Sequence, residues 1–169
     1  MRLLTALVLF GFCVAANAQD AFLKEYLIKW QNGAEYTIEL AEAMPADKYD
    51  FKPTPEVRSF QEQMVHIMSN MVWLSSSYLT EEKFDMDLKR KDFTKEEIIV
   101  LMREATTYAQ NAVQNLTAKD LNETVDFFAG PMTKRQILML MADHMTHHRA
   151  QLVVYVRLND IKPPRYRGW

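Results

Sequence analysis

The chain has 169 residues, a formal net charge of −2 at pH 7, and 49% hydrophobic and 25% charged residues. This slightly acidic balance does not favour nucleic acid or an anionic membrane surface as a partner. A single cysteine excludes an intrachain disulfide, and only four glycines occur. Glycine loops that cradle phosphate are absent, and strands and hairpins lack their usual punctuation.

The N-terminus has the features of a secretory signal peptide. Arg2 precedes an apolar run over residues 3–15, and residues 16–18 read Ala-Asn-Ala. A short positive region, an apolar core and a small-residue cleavage site define such a leader. We therefore expect residues 1–18 to be removed and residues 19–169 to form a single domain. Removal would also take Cys13, leaving no thiolate nucleophile, cysteine-ligated zinc or c-type haem.

Four segments are predicted to be long helices, over residues 20–44, 59–79, 94–116 and 133–159. The last three begin with a capping-box pattern, Ser59 to Glu62, Thr94 to Glu97 and Thr133 to Gln136. Each pattern leads into a run with apolar residues at helical spacing. The connecting segments are longer than usual, and Pro163-Pro164 ends helical structure in the tail. The predicted fold class is all-α, a four-helix bundle.

The last helix carries three of the four histidines, in the stretch ADHMTHHRAQ at residues 142–151. At about 100° per residue, His144 and His148 share a face with apolar residues, and His147 lies on its flank. The opposite face is predicted to carry Ala142, Thr146, Arg149 and Arg157. The i,i+4 spacing of His144 and His148 places two imidazoles about 6 Å apart, which lets both reach one ion.

Two interpretations of this pair stay open on spacing alone. Inward histidines are either core residues hydrogen-bonded to neighbours or metal ligands, because burying unpaired polar groups costs about 1–3 kcal/mol. A di-iron bundle site needs Glu three residues before His, but Gln63 precedes His66 there. The zinc-protease motif H-E-x-x-H fails because residue 145 is Met. The many methionines are more typical of core packing than of copper or haem ligation.

Two stretches together resemble the DinB family of damage-inducible and YfiT-like four-helix proteins. They are DKYDFKPTPEVRSFQEQMVHIMSNMVWL and ADHMTHHRAQLVVYVRLNDIKPPRYRGW. The family pattern, one histidine in helix 2 and an H-x-x-x-H-R-x-Q-like segment in the last helix, is matched in order and spacing. The matching residues are His66, His144, His148, Arg149 and Gln151. Ala150 departs from the pattern where glycine is common, which should affect packing more than ligation.

The resemblance implies a divalent metal cation on His66, His144 and His148, with zinc or nickel expected and other coordination positions open. It also implies metal-dependent chemistry, because relatives include thiol transferases and isomerases and proteins proposed as hydrolases. A non-catalytic metal-binding or structural protein is the alternative, and a fourth ligand such as His147 would favour it. Groups expected to orient the imidazoles are Gln151, Asn70 and Glu62.

The leader affects which of these functions is expected. Small-thiol cofactors belong mainly to the cytosol, so a periplasmic or extracellular location favours hydrolysis, or metal binding without turnover, over thiol transfer. The expected partner is a small-molecule substrate, with no nucleic acid and no membrane after cleavage. The sequence leaves a homodimer open.

Overall fold

A computed structural model gives the fold of the chain. It describes residues 21–169 in full and, for residues 2–20, only their assignment to the first helix. The predicted leader at residues 1–18 and its cleavage site therefore lie outside the fully described residues and stay predictions. Within the described part, no helix offers a stretch that is both long and apolar enough to cross a membrane.

Four helices dominate the structure, as predicted. They are α1 (Arg2–Ala43), α2 (Phe60–Tyr78), α3 (Lys95–Gln114) and α4 (Lys134–Leu158). The ends of α2, α3 and α4 lie within two residues of the predicted bounds. Short 3₁₀ turns at Ala46–Lys48 and Asp120–Asn122 interrupt two of the connections. The all-α fold class is confirmed.

All three predicted capping boxes form. The hydroxyl of Ser59 accepts from the backbone N–H of Glu62 at 3.1 Å, and the Glu62 carboxylate accepts from the backbone N–H of Ser59 at 2.7 Å. The boxes of α3 and α4, which begin at Thr94 and Thr133, have the same reciprocal pattern. These caps satisfy N–H groups that a helix start leaves without partners, so they fix where each helix begins.

The helices form a square in which α1 and α2 each pack between α3 and α4. The core between them is made of large apolar side chains, with Trp30, Phe60, Met64, Met102 and Leu152 almost completely buried. Because α4 has neighbours on two sides, both its α2-facing and α1-facing surfaces are covered. His144 and His148 of α4 therefore lie against α2, and Arg149 lies against α1.

A small hairpin departs from the helical prediction. Strands β1 (Thr124–Val125) and β2 (Met132–Thr133) pair antiparallel directly before α4. Between them, Gly130 has a φ of 112°, a left-handed value that glycine adopts without steric cost. Scarce glycine therefore did not prevent a hairpin, since one glycine at the turn is sufficient.

The C-terminal tail returns along α1 after α4 ends. Arg167 pairs with Glu35 at 2.9 Å and with Glu39 at 2.5 Å, both on α1. Lys29 donates to the backbone carbonyl of Gly168 at 2.8 Å. The tail is thus held against α1 by charge-assisted contacts.

Candidate metal centre

Three histidines meet where α2 packs against α4. The Nε2 atoms of His66 and His144 lie 3.1 Å apart, and the ring centroids of His66 and His148 lie 4.5 Å apart. Those of His144 and His148 lie 4.4 Å apart, as expected for residues one helical turn apart on one face. The structure thus brings together the three residues that the sequence pattern singled out. His148 is buried and the other two are partly exposed.

The spacing of the nitrogens suits a single ion. One candidate ligand atom from each histidine can be chosen so that all three lie within 4.8 Å of one another. Two nitrogens on a tetrahedral zinc, with bonds of 2.0–2.1 Å, lie about 3.3 Å apart. The 3.1 Å between the Nε2 atoms of His66 and His144 is close to that value. Three imidazole nitrogens are also a donor set that zinc and nickel accept readily.

The surroundings keep these histidines neutral. Burial, reinforced by neighbouring histidines and Arg58, lowers the pKa of His144 to about 4 and that of His148 to about 4. Burial, and then the charge of Arg58, also lowers the pKa of His66. A neutral imidazole offers the lone pair that metal ligation requires. The centre is therefore prepared to bind a cation at neutral pH.

The side chain of Gln63 orients His148. The Nδ1–H of His148 donates to Oε1 of Gln63 at 2.8 Å, which leaves the Nε2 lone pair free for an ion. Gln63 lies one turn before His66 on α2 and is buried. An outer partner of this kind fixes both the tautomer and the ring orientation of a ligand histidine.

Gln63 is also part of a longer chain of hydrogen bonds. Its amide donates to Oε1 of Gln151, and the amide of Gln151 donates in turn to Nε2 of His147 at 3.1 Å. The exposed His147 therefore has this nitrogen engaged away from the centre. Unlike His144 and His148, it does not belong to the group that could hold an ion.

The predicted orienting residues are placed differently from expectation. Gln151 contacts Gln63 and not a ligand histidine in the described structure. Glu62 is used by its capping box and by an ion pair with Lys52 at 2.9 Å. The Oδ1 of Asn70 is buried and has no hydrogen-bond partner among residues 21–169. Gln63 takes the expected role, and its position three residues before His66 was the available signal.

Arg149 lies on the predicted face of α4, and the structure shows that it is buried there. The sequence placed it on the face opposite the histidines, with polar residues, yet its side chain is buried against α1. Its guanidinium donates to the Gly33 carbonyl at 3.2 Å and to the Thr146 hydroxyl at 3.2 Å, and it lies over the ring of Tyr36. Helix α1 covers the face of α4 opposite the histidines, so this face is buried at Arg149.

A cleft of about 690 Å³ opens beside His66. Its walls come from α2 and from the segments before α2 and before α3, and they include five cationic residues. The charged lining residues are Lys52, Arg58, Lys89, Arg90, Lys91, Asp50, Glu56 and Glu62. The histidine centre therefore borders a space large enough for a small molecule.

Fold and site together define a class: a four-helix protein with three histidines converging from its second and last helices. The DinB family model matches residues 17–166. The chain belongs to the DinB family.

Relatives and solved structures agree with this assignment. The Bacillus subtilis (strain 168) protein YjoA is 29% identical over 124 residues, which cover 72% of this chain and 80% of YjoA. The crystal structure of YjoA, 23% identical, has a TM-score of 0.72 and covers 85% of this chain and 97% of its own. A DinB-like protein from Bacillus cereus ATCC 10987, also 23% identical, has a TM-score of 0.74 and covers 85% and 96%. These structures support the fold.

Proposed function

We propose that this DinB protein is an exported metal-dependent enzyme. Its centre would hold one divalent cation, zinc or nickel, on His66, His144 and His148. The convergence of these three neutral imidazoles beside an open cleft carries the proposal. A divalent ion on neutral ligands keeps its full charge and supplies Lewis acidity, which lowers the pKa of water or of a thiol.

The protein's own residues have separate tasks in this proposal. The three histidines bind the ion, and Gln63 holds His148 in the required tautomer. The cleft beside His66 receives the substrate. Hydrolysis and thiol transfer share these requirements, and they differ in whether water or a thiol attacks. Export favours hydrolysis, because small-thiol cofactors belong mainly to the cytosol.

The position of His147 favours an enzyme over a closed structural site. A structural zinc site commonly has four protein ligands, whereas a catalytic site keeps a position open. His147 was the candidate for a fourth ligand, but its Nε2 accepts from Gln151. Three ligands beside a cleft are the arrangement expected of a catalytic centre.

Metal content and turnover can be tested on the same preparations. Residues 19–169 would be purified as wild type, His144→Ala and His147→Ala, followed by elemental analysis. We expect about one zinc or nickel per chain in the wild type and in His147→Ala, and a large loss in His144→Ala. Equal metal in wild type and His144→Ala would contradict the three-histidine site.

Turnover would be measured as release of nitrophenol from 4-nitrophenyl acetate, and separately as transfer of 2-mercaptoethanol to monobromobimane. We expect the metal-loaded wild type to exceed His144→Ala in at least one assay. A metal-loaded protein that matches His144→Ala in both, and in wider panels of esters, amides and thiols, would favour the non-catalytic alternative.

Export has its own test. The full chain would be expressed in a Gram-negative host and the mature N-terminus would be sequenced. Recovery from the periplasm with residue 19 first is the expected result. An uncleaved chain retained in the cytoplasm would contradict export without affecting the metal site.

A further inference from the structure

The cationic side chains that line the cleft fall into two groups, those that form an ion pair and those that do not. Lys52 pairs with Glu62 at 2.9 Å, and Arg90 pairs with Glu97 at 2.6 Å and with Asp92 at 2.9 Å. The side chains of Arg58, Lys89 and Lys91 form no ion pair with another residue of the described chain. Two lining carboxylates, Asp50 and Glu56, also form no ion pair within the described residues, so the unpaired side chains leave one excess positive charge in the cleft.

Arg58 is the unpaired cation of this set that lies next to the start of α2, the helix that carries His66. It directly precedes Ser59, the N-cap of α2, and lines the same cleft as His66. The cleft that Arg58 and His66 share is the space beside the three-histidine group. No side-chain hydrogen bond occupies its donors within the described residues.

The backbone carbonyl of Arg58 is held by a hydrogen-bond network that includes Gln63, the residue that orients His148. The hydroxyl of Tyr155, on α4, donates to the carbonyl of Arg58 at 2.9 Å. That hydroxyl also receives a long hydrogen bond, 3.4 Å, from the amide of Gln63. The residue that orients His148 thus contacts the residue that holds Arg58. The position of Arg58 relative to the centre is consequently set by α4 and not only by an exposed loop.

We propose that Arg58 is the substrate-recognition residue of this centre, and that the substrate is a small molecule with a carboxylate near its reacting group. The planar guanidinium presents paired N–H donors that match both oxygens of a carboxylate. Lys89 and Lys91 add long-range attraction for an anion. This inference rests on the proposed function, because the reacting group of the substrate is expected to meet the metal. Recognition of the carboxylate by Arg58 does not require the metal.

Phosphate is a weaker match for this cleft. The N-terminus of α2 reaches it, but the reciprocal capping box of Ser59 and Glu62 already occupies N–H groups there. The Glu62 carboxylate also places a negative charge at that end. A phosphate commonly uses free N–H groups at a helix start, so a carboxylate held by a side chain fits these surroundings better.

Three probes separate recognition by Arg58 from binding at the metal. Mercaptosuccinate carries a thiol and carboxylates, 2-mercaptoethanol carries only the thiol, and succinate carries only carboxylates. They would be titrated calorimetrically into the zinc-loaded wild type, Arg58→Gln and Arg90→Gln. Arg90→Gln is the matched control, because it removes the same charge from the same cleft at a residue already neutralised by two carboxylates.

We expect Arg58→Gln to weaken mercaptosuccinate binding by about tenfold or more, the usual loss for a charged hydrogen-bonded contact. Binding of 2-mercaptoethanol should be unchanged, and Arg90→Gln should change every affinity by about twofold or less. Arg58→Lys keeps the charge without the planar donors and should be intermediate. Equal mercaptosuccinate affinities in Arg58→Gln and Arg90→Gln would overturn the proposal.

Metal-free protein distinguishes this proposal from failure of the metal site. Succinate would be titrated into chelator-treated wild type and Arg58→Gln, with backbone amide shifts followed by NMR. Shifts around residues 57–62 that saturate in the wild type and vanish in Arg58→Gln would support recognition by Arg58 even if the wild type bound no zinc. Identical shifts in both proteins would contradict it, whatever the metal content.

Discussion

Helix α4 carries one polar group on its α1 side and another on its α2 side. The two groups differ in what their polar atoms contact. On the α1 side, the buried Arg149 donates to the Gly33 carbonyl of α1 and to the Thr146 hydroxyl of α4 itself. Toward α2, His144 and His148 meet His66, and the three neutral rings point nitrogens at a common space. A polar group whose partners all lie within the protein stabilises the fold, whereas three imidazoles with a candidate ligand nitrogen each within 4.8 Å of the others can hold an ion. Burial alone does not separate structural from functional residues.

The largest effect on stability should come from Arg149→Ala. The change removes a buried side chain and leaves the Gly33 carbonyl without this donor. We expect the free energy of unfolding to fall by about 2–3 kcal/mol, measured by urea denaturation. Metal content per folded chain should stay at the wild-type level. Loss of metal in a folded Arg149→Ala protein would contradict the separation of the two sides of α4.

The next largest effect is expected from Gln63→Leu, which changes zinc affinity on the α2 side of α4. Without the amide oxygen, the Nδ1–H of His148 loses its acceptor, and the ring is no longer fixed. We expect the zinc dissociation constant to rise about 10- to 100-fold, measured by competition with a chelator. Gln61→Leu is the matched control, since Gln61 lies on the same helix but donates to the carbonyl of Lys91. Equal affinities in the two variants would exclude an orienting role for Gln63.

The stability of the metal-free protein should depend on pH, because the buried histidine cluster resists protonation. His144 and His148 each have a folded pKa of about 4, below the unfolded value of about 6.5. Between these values the unfolded chain binds more protons, so stability falls as the pH drops from about 6.5 to about 4. Urea midpoints of wild type and a His144→Gln, His148→Gln double variant would be compared across this range. Parallel curves would contradict the lowered pKa values.

The smallest effect is expected from the tail. Arg167 contacts Glu35 and Glu39 on α1, but these side chains are partly exposed, so solvent screens the pairs. Arg167→Gln should cost less than about 1 kcal/mol in thermal or urea unfolding. Its zinc affinity should equal that of the wild type, because the tail contacts the α1 side. A weakened zinc affinity would link the two sides of the bundle.

Much of the helical framework was predictable because its signals are local. Ser59, Thr94 and Thr133 each start a helix through contacts within four residues, so the sequence pattern was sufficient. The pairing of His144 with His148 also depends on one helix. His66 joined them in the prediction through its position in helix 2 and through the resemblance to the DinB family.

The surroundings of the site were less predictable because they depend on packing. A helical projection gives directions around one axis and does not say which neighbours cover them, so Arg149 was placed on a polar face. The cleft at Arg58 depends on two connecting segments whose paths no periodicity describes. Gln63 was considered only as the residue that replaces a di-iron glutamate, and its contact with His148 required the register between α2 and α4.

X-ray absorption spectroscopy of zinc-loaded protein tests the central claim most directly, because it counts imidazole ligands around the ion. The account predicts three imidazoles in the wild type and in His147→Ala, together with at least one ligand of other origin. It predicts loss of this signature in His148→Ala. Four imidazoles in the wild type, with one lost in His147→Ala, would contradict the account and indicate a closed site.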